Sequence, residues 1–351
     1  MKKVLLDLRD INHVTCGFGQ IAKNYAKLYS QYQPEGIKFV FLLPKHFNET
    51  LGENIEQVNV RPKLNKHCPW TLPKVDLWHS IHQQQQTRRI YGDTKYVLTI
   101  HDLNFMTEKN RLRQLKHLLI LQHRINQADA VVAISHYVAE QVKKHLNLKG
   151  RDIRVIYNGV ERIDHSESCK PSFTSERPFF FTIGQIRRKK NFHILLDVMK
   201  SFPEHDLFIC GDDHFDYADE IRRKIEEQQL KNVFLTGPIK QEEKVWLYKN
   251  CDAFLFPSMC EGFGLPVIEA MQFGRAVYVS NYTCLPEIGG GYAFVWEDLT
   301  TQAMTDKIKS TLPTFYDNKE QIEKEKEYAF SFSYERHIES YCKLYEKLLE
   351  K

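Results

Sequence analysis

A chain of 351 residues, 42% hydrophobic and 27% charged, is too long for one ordinary core and fits two domains of about 150 to 200 residues each. Such a composition excludes a mainly disordered chain, and the one low-complexity tract is Gln83 to Gln86. The net charge of +4 hides an asymmetry, because residues 1–165 hold 25 Lys and Arg against 15 Asp and Glu while the rest hold 24 against 30. A basic field of this kind attracts phosphate-bearing or membrane-surface partners, although a solvated basic face is its commoner meaning.

The opening MKKVLLDLRD starts basic, but its apolar run stops at Asp7, far short of a signal-peptide core or a membrane span, so it reads as a first strand. The eight cysteines are scattered singly, with no C-x-x-C pair and no His/Cys cluster at metal-ligand spacing; neither a disulfide framework nor a metal site is expected, and the cytoplasm is the expected compartment. Further strands follow as KFVFLL, VDLWHS, YVLTI, AVVAIS and IRVIY, then FFFTIG, LFICG, NVFLTG, AFLFPS and AVYVS. Most are uninterrupted apolar runs, as strands buried on both faces should be. Segments of helical period lie between many of them, among them GQIAKNYAKLYSQY, HYVAEQVKKHL, YADEIRRKIEEQQL and QEEKVWLYKN. Alternating strand and helix predicts an α/β fold with doubly wound parallel sheets. The alternation breaks at the polar, proline-containing stretch of residues 161–178, the best linker candidate. Ligands in open α/β sheets sit at the carboxyl ends of strands, so a cleft between the domains is the expected site.

The stretch CEGFGLPVIEAMQFG, residues 260–274, carries two glutamates, Glu261 and Glu269, around a glycine and proline turn. AFLFPS reads as a strand, Pro266 suits the first turn of the next helix, and Gly274 ends it. Gly262 and Gly264 keep the loop backbone bare, and the helix start offers amides and a positive dipole end to an anion. Carboxylates beside an anion site suit neutral hydroxyls on either side of a phosphate, which is the layout of a nucleotide-sugar. The alternative is that Glu269 is an ordinary first-turn acid and Glu261 an ordinary loop charge.

EGFGLPVIEA resembles the E-x7-E signature of the retaining glycosyltransferases of group 1, also called family 4, with their GT-B fold of two Rossmann-like domains. FTIGQIRRKKNFHILLDVM resembles the first strand and helix of that family's donor domain. TIHDL resembles its His-Asp loop, and DAVVAISHYVAEQV, VIYNGVE, LTGPIKQEEKVWLYKNCDAFLFPS and FSYERHIESYCKLYEKLL fit in the same order. The resemblance implies an acceptor domain over residues 1–165, a donor domain over 166–330, and a terminal helix, 331–351, crossing back to the first. By position, Lys190 matches the lysine on the donor pyrophosphate, Glu261 the glutamate at the sugar and reaction centre, and Glu269 the one holding the ribose hydroxyls. Phe263, Gly264 and Leu265 would present backbone amides, and His101 matches the histidine facing the transferred sugar. Gly17 and Gly19 match a glycine loop that closes over the phosphates. The chain departs from the pattern after Gly184, where Gln185 replaces an arginine that many members carry; Arg187 or Arg188 is the candidate replacement.

His101 by itself reads as a structural or surface histidine that its place at a strand's carboxyl end promotes, and Asp102 reads as a cap, with orienting His101 as the alternative. His79 and His82, beside Gln83 to Gln86, follow a strand and read as a mobile polar loop, with lining the cleft as the alternative. The helix of residues 111–126 mixes Arg111, Arg113, Lys116 and Arg124 with LLIL and reads as a helix packed on a sheet, with membrane docking as the alternative. A nicotinamide-dependent oxidoreductase is disfavoured because RDINHVTC separates the first strand from Gly17, and the next strand lacks the expected ribose-binding acid. A nucleic-acid-binding module is disfavoured by dispersed arginines and an acidic second half. A catalytically silent sugar-binding homologue stays open. The expectation is a cytoplasmic enzyme, possible at the inner face of the membrane, that moves a hexose to a glycan or lipid-linked acceptor, with no cofactor and no metal. GDP-mannose is the first expected donor and UDP-sugars are the alternative.

Overall fold

The computed structural model describes every residue except 13–16, 33, 53–54, 62–63, 65–67, 86–91, 165 and 351. The chain forms two compact units, Met1–Gly159 completed by Tyr334–Lys351, and Val160–Ser333. Residues 161–178, which composition marks as the linker, belong to the second unit. There the Gln272 side chain accepts the Ile163 N–H at 3.0 Å and donates to the Glu161 carbonyl at 2.9 Å.

In the first unit the strands β1 (Lys2–Asp7), β2 (Ile37–Leu43), β3 (Glu56–Asn59), β4 (Leu77–Ser80), β5 (Lys95–Ile100), β6 (Ala130–Ala133) and β7 (Ile153–Val155) form one sheet. Its order is β3-β2-β1-β4-β5-β6-β7, and every pairing is parallel. Val4, Leu5 and Leu6 in β1 are wholly buried although they point to opposite faces, which is why their run needs no polar alternation. Helices Gly17–Gln31 and Tyr334–Leu349 supply Tyr25, Tyr29, Ile338, Tyr341 and Tyr345 to this core. The terminal helix does so because its apolar residues recur at helical spacing.

In the second unit β8 (Phe179–Ile183), β9 (Asp206–Cys210), β10 (Val233–Gly237), β11 (Ala253–Phe256), β12 (Ala276–Ser280) and β13 (Phe294–Trp296) pair in the order β10-β9-β8-β11-β12-β13, again all parallel. Each unit is therefore a Rossmann-like doubly wound layer, with the order reversing beside its own first strand. No helix among the described residues is long and apolar enough to cross a membrane.

His79 and His82 are buried, His79 within β4 and His82 in the turn that follows it. His79 sits in β4, fully buried, between Thr99 Oγ1 at 2.8 Å and Tyr345 Oη at 2.7 Å. His82, Gln83 and Gln85 are buried as well, and Gln86 lies outside the described residues. Their polarity suggested solvent, but their partners come from strands and helices far away in sequence.

Candidate functional site

The second unit gathers charge at the carboxyl ends of β8 and β11. After β8 the chain passes Gly184 and Gln185 into a short 3-10 turn, Arg188–Lys190, whose end Asn191 adopts left-handed φ of 58°. Gly211, after β9, packs against this turn's entry, where a Cβ would lie 2.1 Å from the Gly184 carbonyl oxygen. Lys190 is thereby delivered to the loop after β11. Its Nζ donates to Glu261 Oε1 at 2.6 Å and lies 4.9 Å from the centre of the Phe256 ring. The Ser258 hydroxyl donates to the same carboxylate oxygen at 2.6 Å, the Glu261 N–H meets Thr283 Oγ1 at 3.2 Å, and Met259 N–H ties the loop to the Lys189 carbonyl at 2.8 Å. Lys190 and Glu261 are only 12% and 14% exposed, so this pair is held in a sheltered place, not on an open surface.

The helix Leu265–Gln272 starts immediately beyond. Gly264 caps it with φ of 97°, a conformation that side chains disfavour. Pro266 lacks an N–H, and the Val267 N–H turns back to the Gly264 carbonyl at 3.0 Å, so Gly264 and Leu265 bring their amides to the helix start. The Phe263 side chain is buried against Phe332, which leaves it only a backbone contribution. Cys284 donates its thiol toward the carbonyls of Glu261 and Phe263. Burial, followed by Glu261 and Glu287, pushes that thiol well up, so it stays protonated and serves as a packing group instead of a nucleophile.

One turn into the helix, Glu269 is clasped by two residues that sequence reading passed over. Lys244 Nζ lies 3.2 Å from Glu269 Oε1, and Tyr248 Oη donates to Oε2 at 2.9 Å. Burial, then the Glu269 carboxylate, pushes the Tyr248 phenol well above its ordinary range, which keeps it a donor. Lys244 and Tyr248 stand four apart in the helix Gln241–Asn250, so helical spacing was the signal that could have grouped them.

The candidate replacements for the expected arginine go elsewhere. Arg187 stacks over Phe215 at 4.0 Å and Arg188 pairs with Glu220 at 2.6 Å. Gln185 accepts the Arg187 N–H through its backbone carbonyl at 2.8 Å. Lys190 is the cation brought to Glu261.

The first unit has its own polar cluster, at the carboxyl ends of β1, β4 and β5. Arg9 grips the buried Asp7 through two bonds of 2.7 and 2.6 Å. His82 Nε2 lies 2.8 Å from Asp10 Oδ2, and Gln85 donates to the Asp7 carbonyl at 2.6 Å. His101 Nε2 lies 2.8 Å from the Ile81 carbonyl oxygen, while its backbone N–H is held by Gln83 Oε1 at 2.9 Å. Burial, then His82, lowers the His101 pKa to about 3. The Ile81 carbonyl only accepts, so this neutral ring carries its proton on Nε2 and keeps Nδ1 as the acceptor. Asp102 accepts the Asn104 N–H at 2.9 Å, a turn contact just before the short helix Phe105–Glu108, whose N-cap is Asn104. Phe18 stacks on His82 at 4.1 Å and meets His101 edge-on at 5.1 Å. Gly17 and Gly19 lie in the first turn of the helix Gly17–Gln31, and residues 13–16, the loop expected before them, lie outside the described residues. They follow the helical course because Gly-Phe-Gly-Gln-Ile-Ala sets Ile21 and Ala22 at the core face.

Residues 166–328 match the family model for glycosyl transferases group 1, and residues 32–162 match that for Glycosyltransferase Family 4. The chain therefore carries, in its two halves, the two domain types of the group 1 glycosyltransferases. The O-antigen chain mannosyltransferase C of Escherichia coli is 26% identical over 308 residues, 82% of this chain and 76% of that protein. The serotype-specific mannosyltransferase WbdA of Escherichia coli is 31% identical over 189 residues, 49% of this chain. The chain spans 22% of the length of WbdA and 53% of that of the O-antigen chain mannosyltransferase RfbU of Salmonella typhimurium. Sucrose-phosphate synthase from Thermosynechococcus elongatus superposes with a TM-score of 0.78 at 16% identity, covering 100% of both chains. Anabaena HepE, in complex with UDP-glucose, superposes with a TM-score of 0.72 at 16% identity, covering 99% of this chain and 100% of that one. At these identities the likeness is one of fold, and the fold is GT-B.

Proposed function

We propose that this glycosyltransferase moves mannose from GDP-mannose to a hydroxyl of a glycan or lipid-linked acceptor, with retention at the anomeric carbon, in cell-surface polysaccharide synthesis. The observation that carries the reading is the Lys190–Glu261 contact of 2.6 Å beside the start of the helix Leu265–Gln272. It joins a cation, a carboxylate and helix-end amides in one sheltered place. A diphosphate at that helix start competes with Glu261 for Lys190, and the ammonium then stabilises the charge that grows on the leaving group. Glu261, released from Lys190, faces the sugar. Glu269, aimed by Lys244 and Tyr248, accepts the ribose hydroxyls. His101, neutral and held by Ile81, offers an acceptor nitrogen to the transferred sugar. These groups supply the charge that a metal would otherwise bring, so the reaction is assigned neither metal nor cofactor. The names of the mannosyltransferase relatives support the sugar, and HepE, with UDP-glucose, keeps UDP-sugars as the alternative donors.

The test is calorimetric titration with a panel of nucleotide sugars, followed by acceptor assays and assignment of the product anomer. GDP-mannose is expected to bind most tightly and to give the α product. Tighter binding of a UDP-sugar would overturn the donor, an inverted anomer would overturn retention, and donor binding with no transfer to any acceptor would favour a sugar-binding homologue.

A further inference from the structure

The helix Arg111–Gln127 has two apolar faces, and the first unit uses only one. Leu121 and Ile125 are buried toward the sheet, Arg124 donates to the Gln83 carbonyl, and Gln114 ties the helix start to the carbonyls of Met106 and Lys109 at 2.8 and 2.7 Å. Leu112, Leu115 and Leu119 lie on the other side at helical spacing, with Ile120 at its margin, and are 82%, 55%, 62% and 40% exposed. The exposed Arg111, Arg113 and Lys116 flank this row. The 17 residues contain no Asp or Glu, and the first turn, where acids are favoured, carries two arginines instead.

We propose that this outer face docks the first unit on an anionic lipid bilayer. A leucine row beside cations and free of acids is the pattern of a helix lying in a membrane interface, with leucines at the acyl boundary and cations among headgroups. The whole unit supports that sign, since residues 1–159 and 334–351 hold 28 Lys and Arg against 17 Asp and Glu. A second copy of this chain is the poorer occupant, because a two-fold contact would set these cations against themselves. An anionic surface neutralises them while the leucines leave water. The docking face stands on this helix alone and does not depend on the identity of the donor.

The experiment is co-sedimentation of the full chain with vesicles of phosphatidylglycerol and phosphatidylcholine, compared with vesicles of phosphatidylcholine alone, across a salt series. Binding is expected to the anionic vesicles and to weaken as salt rises past roughly 0.1 M, where screening shortens to about 10 Å. Leu112→Ser, Leu115→Ser and Leu119→Ser together are expected to lower the partition coefficient about tenfold or more, and Arg111→Gln, Arg113→Gln and Lys116→Gln to lower it and flatten the salt response. These side chains point away from the core, so thermal midpoint and nucleotide-sugar affinity should match the parent, which separates lost docking from lost folding or a failed donor assignment. Leu119→Trp supplies a positive signal, a blue-shifted emission quenched by brominated lipid. Equal binding by parent and leucine variant, no binding by the parent, or a concentration-dependent dimer that the leucine changes dissociate would each overturn the proposal.

Discussion

Counted from its own first strand, each sheet runs 3-2-1-4-5-6, with a seventh strand added at the edge of the first. Both units therefore present strand carboxyl ends and loops at an equivalent switch point, yet they fill it differently. The second unit sets ion pairs there, Lys190 with Glu261 and Lys244 with Glu269. The first pairs Arg9 with the buried Asp7 and sets imidazoles in a buried polar net around it, with His101 held neutral by burial. The comparison teaches that topology determines where a site is built, whereas a few loop residues decide whether it meets a charged or a neutral part of a ligand.

The sharpest way to break the comparison is to remove the charge from the second unit. Lys190→Ala is expected to lower kcat by roughly 100- to 1000-fold, the loss typical of one group stabilising developing charge, with a smaller loss in donor affinity. Equal losses in the two would mean a uniform binding role. Glu269→Ala comes next: losing a charged acceptor of ribose hydrogen bonds, worth about 1.5 to 3 kcal/mol each, should weaken binding of the free nucleotide by about 10- to 100-fold. Lys244→Met should weaken it only several-fold, since Tyr248 still holds the carboxylate. An unchanged nucleotide dissociation constant in Glu269→Ala would remove the ribose assignment.

Acid and base should separate the units further. In the first, burial lowers the pKa of His101 to about 3 and of His337 to about 4. Their folded forms resist protonation that the unfolded chain accepts below about 6.5, so stability is present above that pH and falls as pH drops toward 3 to 4. Each contributes a loss of about 2 kcal/mol between pH 7 and pH 5. In the second unit burial raises Glu325 to about 9, with Lys326 opposing, and Glu325 Oε1 has no hydrogen-bond partner. Its contribution has the other sign, present below about 4.5 and lost as pH rises through 9. Hydrogen exchange read unit by unit should show the first loosening in acid and the second in base, and Glu325→Gln should remove the second trend. Parallel responses in the two units would contradict these assignments. The smallest expected effect is that of excess EDTA, which should leave turnover unchanged; loss with recovery on adding manganese or magnesium would show that Lys190 and the helix-end amides do not carry the leaving-group charge alone.

Much of this was legible in the chain because it is written locally. Uninterrupted runs such as FFFTI and AFLF declare strands buried on both faces, and Gly264 with Pro266 declares a helix start, since φ and N–H restrictions act within a few residues. Glu261, Glu269 and Lys190 could be singled out by motif. What the motif could not contain is their partners. Ser258 and Thr283 at Glu261, Lys244 and Tyr248 at Glu269, and Tyr345 at His79 arrive from different elements. The polar run around His82 looked like a solvated loop for the same reason, because a polar residue reads as exposed until a distant partner satisfies it. Local propensity and hydrophobic period determined the layered fold. Only the packing of strands and helices distant in sequence decided which charges meet, which histidines stay neutral and which leucines are left facing water.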